Sequence, residues 1–211
     1  MTYDLEALIQ KIQHLKKTDI GGKINSRIKE FESFKKSTNN ELFSELCFCI
    51  LTANFNAERS IKIQNEVGQC FFSNSKEEIQ KNLQNYGHRF ANKRSEYIIE
   101  SQKCKNQLNN VLNSLKGENL RKWIADNIKG LGYKEASHFL RNIGYEDYAI
   151  IDFHIIDILE RYDIINRPKS LTKKKYIEIE KTLRNIAKKV DLNLAELDLY
   201  LWYLETGKIL K

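Results

Sequence analysis

Proline is almost missing from this 211-residue sequence; Pro168 is the only one. Chain breaks must therefore fall at glycines and polar clusters: Gly21-Gly22, Ser37 to Asn40, Ser73 to Ser75, Gly117, Gly130 to Gly132, Gly144, and Asn166 to Ser170. Strand-like alternation of apolar and polar residues is nearly absent, which argues against a sheet. The four cysteines, Cys47, Cys49, Cys70 and Cys104, contain no Cys-x-x-Cys pair, and the four histidines, His14, His88, His138 and His154, are scattered. That pattern excludes the usual metal-cluster spacings. With no secretory signal ahead of them, the cysteines are expected to be reduced, buried thiols in a cytosolic protein. The longest apolar stretches, such as Leu46 to Ala53, are far shorter than a bilayer span, so no membrane association is expected. No internal repeat or low-complexity tract is visible.

What is present is helical periodicity. Leu5, Leu8, Ile9, Ile12 and Leu15 make one apolar face, and Tyr176, Ile179, Leu183, Ile186 and Val190 make another. Ser75 with Glu78, and Asn193 with Glu196, have the spacing of helix-start capping pairs. The expectation is an all-α protein of ten or more helices, as one compact unit or two small lobes, with a lobe boundary near Arg167 to Ser170. Lys and Arg outnumber Asp and Glu by 35 to 28, a formal charge of +7, which favours a polyanionic partner. The charges are spread along the chain, and the run Lys173 to Lys175 fits a solvated helix face better than a contact surface.

The segment IKGLGYKEASHFLRNIG, Ile128 to Gly144, reads as a helix ending near Ile128, a tight hairpin Gly130-Leu131-Gly132, and a second helix from about Tyr133. Two glycines permit positive φ and close approach, Leu131 can plug into the core, and Ala136 lets the helices pack closely. Amides in such a hairpin, beside a helix N-terminus, can hold a phosphate directly or through a bound cation. Glycine pairs also occur in ordinary turns, so the hairpin alone decides nothing. Lys134 adds information, because a helix N-terminus disfavours a charged amine and so favours the free amine that a nucleophile requires. Eighteen residues on, Asp152 follows an apolar stretch and precedes the periodic residues Ile155, Ile156 and Leu159. It suits a helix N-cap, and an ionised, rigidly held cap carboxylate can also stabilise developing positive charge.

The combination GLGYKEA, with lysine after Gly-x-Gly-x, followed by IIDFH, resembles the helix-hairpin-helix (HhH-GPD) DNA glycosylase superfamily. The resemblance implies an all-α fold of two helical lobes around a DNA-binding cleft. It implies a helix-hairpin-helix motif at about 118–144, an aspartate loop at about 145–153 and a C-terminal helical segment at about 171–211. It makes Lys134 the nucleophile at C1′ and Asp152 the group that assists base departure, and it implies both glycosylase and lyase activity, because members that only remove the base carry another residue at the lysine position. His154 fits the Asp-x-His pattern as a residue that holds the loop.

Members related to endonuclease III usually carry four cysteines beyond the aspartate, and here nothing after Cys104 is a cysteine. That disfavours this branch, and the eukaryotic 8-oxoguanine enzyme has an extra N-terminal β domain for which this helical chain has no room. The segments ELCFCILTAN near Glu45 and YGHRFANKRSEYI at Tyr86 resemble the compact archaeal-type 8-oxoguanine glycosylases. That similarity implies a partner, double-stranded DNA containing oxidised guanine. Asn54, in LTANFN, is then the candidate to fill the gap left by a flipped nucleotide, with Arg89 and Arg94 of a basic loop near the lesion or its phosphates. Lys211 and Trp202 are the candidates for base recognition, and Gly130, Leu131 and Gly132 for gripping the backbone. No organic cofactor and no side-chain metal ligands are expected, only an alkali cation at the hairpin, and the protein is expected to act as a monomer. Two alternatives remain open, a cluster-free pyrimidine-lesion glycosylase and a non-catalytic module that uses the hairpin only as a phosphate clamp.

Overall fold

The structure, a computed structural model, describes residues 4–211, and these contain helices and turns but no strand. In chain order the helices are α1 (Leu5–Lys16), α2 (Asp19–Ser33), α3 (Asn39–Thr52), α4 (Ala57–Val67), α5 (Lys76–Asn85), α6 (Ala91–Ser101), α7 (Leu108–Ser114), α8 (Gly117–Asn127), α9 (Tyr133–Asn142), α10 (Phe153–Arg161), α11 (Lys173–Lys189) and α12 (Leu194–Thr206). The all-α expectation holds. Both anticipated capping pairs form as reciprocal boxes, Ser75 with Glu78 before α5 and Asn193 with Glu196 before α12. A third, Thr38 with Glu41, opens α3. Each box satisfies two amides that a helix start would otherwise leave without partners.

The chain divides into two compact units. One is continuous, Ser33–Ile143, and the other joins the segment up to Glu32 to Gly144–Lys211. The division does not fall near Arg167 to Ser170, where the scarce proline suggested it. Arg167 turns back onto α10, pairing with Asp157 and with Glu160 at 2.8 Å, so that the Pro168 loop is stitched into its own unit.

In the continuous unit α3 is central. Ten of its side chains, including Leu42, Phe43, Leu46, Phe48, Ile50 and Leu51, are buried, which explains why Cys47 and Cys49 are both inaccessible although a helix points them apart. Cys104 is also buried, Cys70 is half-buried, and all four thiols are free. In the discontinuous unit, Leu8, Ile9 and Ile12 of α1 and Tyr176, Ile179, Leu183 and Ile186 of α11 are buried, the two faces that periodicity marked. A bond between its two sequence-distant segments helps close it: Lys16 Nζ donates to the Val190 carbonyl at 2.6 Å. No helix among the described residues is long and apolar enough to cross a membrane.

Candidate functional site

The hairpin lies in the continuous unit and forms where the sequence placed it, between α8 and α9. Gly130 has φ +88°, and a Cβ there would run into the Tyr97 ring of α6, so glycine is required twice over. Gly132 differs from the expectation of positive φ at both glycines. It is the N-cap of α9 in extended conformation, φ −93° and ψ −166°, and a Cβ would meet only Glu135 Oε2 at 3.5 Å. An N-cap must leave helical geometry while its carbonyl opens the helix, and that alone sets its backbone. Leu131 is buried as the plug, and Ala136 is buried beneath the helix pair.

A side-chain clamp joins α8 to α9. Arg121, 2% exposed, donates to Glu118 Oε2 at 2.7 Å and to Ser137 Oγ at 3.3 Å, and stacks over the Tyr133 ring at 5.1 Å. Tyr133 in turn donates to the second oxygen of Glu118. These contacts fix the residues on either side of Lys134. Lys134 itself stands in the first turn of α9, its side chain 25% exposed, with Nζ 3.6 Å from Glu135 Oε1. The other Glu135 oxygen accepts the Gly132 amide at 3.3 Å. The helix N-terminus repels the lysine cation while the Glu135 carboxylate attracts it, at a separation longer than a good hydrogen bond. The sequence reading weighed only the repulsion. The i, i+3 spacing from Gly132 to Glu135 was the available signal for the attraction.

The LTANFN segment, in the same unit, is gripped from three directions. His88 Nε2 meets the Leu51 carbonyl at 3.0 Å, Arg94 donates to the Ala53 carbonyl, and Arg89 donates to the Asn54 carbonyl. The Phe90 amide donates to His88 Nδ1 at 3.2 Å, so the ring serves as donor on Nε2 and acceptor on Nδ1, which only the neutral imidazole can do. Burial, followed by the nearby Arg94, Arg89 and Arg59 cations, pushes the His88 pKa down, against the opposing hydrogen bond to Leu51. Asn54 adopts φ +57°, a left-handed conformation that asparagine tolerates, and its exposed side chain has no hydrogen-bond partner among the described residues. Arg89 is exposed, as a loop residue should be. Arg94 is not: it lies in α6 with Lys93 and is 8% exposed, so the expectation that it sits in a basic loop is corrected. The cause is Ala53, whose buried carbonyl at the end of α3 has no helical donor and draws the guanidinium inward.

Asp152 lies in the discontinuous unit. It caps α10, with Oδ1 accepting the Ile155 amide at 3.1 Å, while Oδ2 has no hydrogen-bond partner among the described residues. The loop before it is held by three side chains of α11. Tyr176 donates to the Ala149 carbonyl at 2.6 Å and accepts the Ile151 amide at 3.2 Å, Glu180 accepts the Ala149 amide at 3.0 Å, and Arg184 binds Asp147 through its side chain at 2.8 Å and its carbonyl at 2.9 Å. Sequence reasoning missed all three. Their i, i+4, i+8 spacing marks one helix face, but only as an apolar-to-polar stripe with no stated partner. Beyond Asp152, Phe153 is 63% exposed, its ring 3.9 Å from that of His154, which meets Trp202 edge-on at 4.8 Å. Trp202 Nε1 is buried without a hydrogen-bond partner among the described residues. After α12 the left-handed Gly207 turns the chain, and Ile209 to Lys211 are half-buried.

The structure thus assembles Lys134, the hairpin, Asn54, Arg89 and Arg94 in one unit, and Asp152, His154, Trp202 and Lys211 in the other. Among the described residues, no group of three or more His, Cys, Asp or Glu side chains could hold a metal ion.

Comparison with known proteins gives one answer. The 8-oxoguanine DNA glycosylase family model matches residues 24–192. A curated 8-oxoguanine DNA glycosylase/AP lyase of Methanocaldococcus jannaschii is 52% identical over 206 residues, 97% of this chain and 99% of that protein, and one of Korarchaeum cryptofilum is 46% identical over 98% and 99%. A crystal structure of the Methanocaldococcus jannaschii protein in complex with 15mer DNA containing 8-oxoguanine superposes with a TM-score of 0.94 over 97% of this chain and 99% of that one. The Thermotoga maritima 8-oxoguanine DNA glycosylase, 38% identical, superposes with 0.91 over 98% and 100%. With a family model spanning most of its length and relatives at about half identity from end to end, this chain belongs to the 8-oxoguanine DNA glycosylase family.

Proposed function

We propose that this protein excises 8-oxoguanine from double-stranded DNA and then nicks the strand at the resulting abasic site, acting as a monomer and without an organic cofactor. The observation that carries this reading is the amine of Lys134, partly exposed in the first turn of α9 directly after the Gly130–Gly132 hairpin. A pure phosphate clamp has no use for a lysine held there by a single long ion pair, nor for a capped aspartate with one oxygen unengaged.

The chemistry follows from the two groups. The free amine of Lys134 bonds to C1′ as the bond from C1′ to the base breaks, and the base leaves with the bonding pair and a proton. One Asp152 oxygen, fixed by the Ile155 amide, keeps the carboxylate in place, and the other faces the positive charge that grows on the deoxyribose. Loss of the second amine proton and ring opening give an imine. Removal of a C2′ proton then expels the 3′ phosphate, and water releases the lysine. The hairpin Gly130 to Gly132 grips the backbone, directly or through an alkali cation, and Asn54 fills the space left by the extruded nucleotide. Trp202 stacks on the base, and Lys211 distinguishes 8-oxoguanine from guanine.

Borohydride reduction during reaction with an 8-oxoguanine duplex tests the covalent step. The native protein should be trapped on DNA and Lys134→Gln should not, while Asp152→Asn should release base about 10²–10³-fold more slowly. A trapped adduct with Lys134→Gln removes that lysine from the role. Faster release of thymine glycol than of 8-oxoguanine overturns the substrate assignment.

A further inference from the structure

The inward turn of Arg94 has a meaning for the reaction that a phosphate-binding arginine would not have. Its guanidinium is buried, hydrogen-bonded to the Ala53 carbonyl, and packed over the Phe90 ring at 5.5 Å and the Tyr97 ring at 5.6 Å. Ala53 is the residue before Asn54, the one side chain of this turn that is exposed, left-handed and without a partner among the described residues. We infer that Arg94 is the positioning residue for strand insertion: it fixes the Ala53–Asn54 peptide so that the Asn54 amide is already aimed when a nucleotide leaves the stack. This rests on the reading of Asn54 as the gap-filling side chain.

Three observations carry the inference. A charged donor to a carbonyl makes about twice as strong a hydrogen bond as a neutral one, and burial protects this one from exchange with water. The exposed Arg89 makes the same kind of contact to the next carbonyl without that protection. Arg94 also belongs to the helix that braces the hairpin: Tyr97 contacts Gly130, and Lys129 pairs with Glu96 at 3.0 Å and Glu100 at 2.6 Å. One rigid helix, α6, therefore sets the spacing between the insertion turn and the backbone grip. A turn ordered before binding does not lose its freedom during extrusion, which is where preorganisation gains affinity.

Single-turnover excision on two substrates tests this. One has 8-oxoguanine opposite cytosine; the other has the same strand opposite an abasic analogue, where no pairing must be replaced. Arg94→Gln should slow excision on the paired duplex on the order of tenfold, since unpairing must there be compensated, and change the unpaired substrate by no more than about twofold. Asn54→Ala should show the same selectivity, and the double variant should be no slower than the worse single one. Arg94→Lys, which keeps a charged donor and is the fallback if Arg94→Gln does not fold, should recover part of the paired-substrate rate. Equal loss on both substrates, or additive losses in the double variant, overturns the positioning role. An Asn54→Ala variant with no paired-selective loss overturns the reading of Asn54 instead, and the inference with it.

Discussion

The lysine hairpin and the aspartate loop are built on opposite plans. The hairpin is held by its own two helices: Glu118, Arg121, Tyr133 and Ser137 all lie within α8 and the first half of α9. Support from earlier in the chain comes from α6, through the Tyr97 ring and the exposed Lys129 ion pairs, and from α3, where Phe48 meets the His138 ring and Glu45 accepts from Asn142. The aspartate loop has almost no local support. Asp147, Ala149 and Ile151 are tied to side chains 25 to 37 residues later in sequence, and two of those, Tyr176 and Glu180, are buried. A motif that must present backbone amides can be self-contained. A carboxylate that must keep one oxygen open needs its whole loop pinned from outside.

The largest expected effect that sharpens this contrast is in the aspartate loop. Tyr176→Phe leaves the buried Ala149 carbonyl and Ile151 amide without their shared partner, which should cost about 1–3 kcal/mol in denaturant unfolding. It should also slow base release while leaving duplex affinity near native. An unchanged unfolding midpoint would break the comparison.

A second test asks whether burial, and not membership of one unit, decides how much a brace matters. His88 is a buried support in the same unit as the hairpin, and its folded pKa lies below the ordinary value near 6.5. As pH falls below that value the unfolded chain takes up a proton that the folded chain refuses. Stability therefore declines from about pH 6.5 downward and levels off once the folded pKa has been passed. The thermal midpoint should track this decline in the native protein and be flatter in His88→Gln; parallel pH slopes would count against it. The smallest effect is expected at Lys129→Ala. Hydrogen bonds to Glu100 and then Glu96 hold the Lys129 pKa above the ordinary lysine range, but the pairs are exposed, so the thermal midpoint should shift little and the difference should vanish at high salt.

The same contrast explains what could be read from the sequence. The hairpin, its plug Leu131, the start of α9 and the cap Asp152 were legible because each is a rule about neighbours within a few residues. Arg94 was misplaced because sequence shows a cation four residues past Phe90 at the end of a loop but not the buried carbonyl that draws it in. Tyr176 showed its apolar periodicity and concealed its hydroxyl's two partners, and Glu180 and Arg184 looked like the wet side of an amphipathic helix. Long-range hydrogen bonds leave no periodic trace. The expected boundary near Arg167 to Ser170 fails in the same way, since the proline is visible in sequence but the return of Arg167 onto Asp157 and Glu160 is not.

The split origin of one unit bears on how the protein is made. Ser33–Ile143 is a single run whose contacts are complete once its last helix emerges, so it can fold while the remainder is still being translated. Its companion must wait, because the bond from Lys16 to Val190 spans 174 positions and α11, which ties down the aspartate loop, is synthesised after the continuous unit. A nascent chain arrested before α11 would carry the lysine in a finished scaffold and the aspartate in an unfinished one.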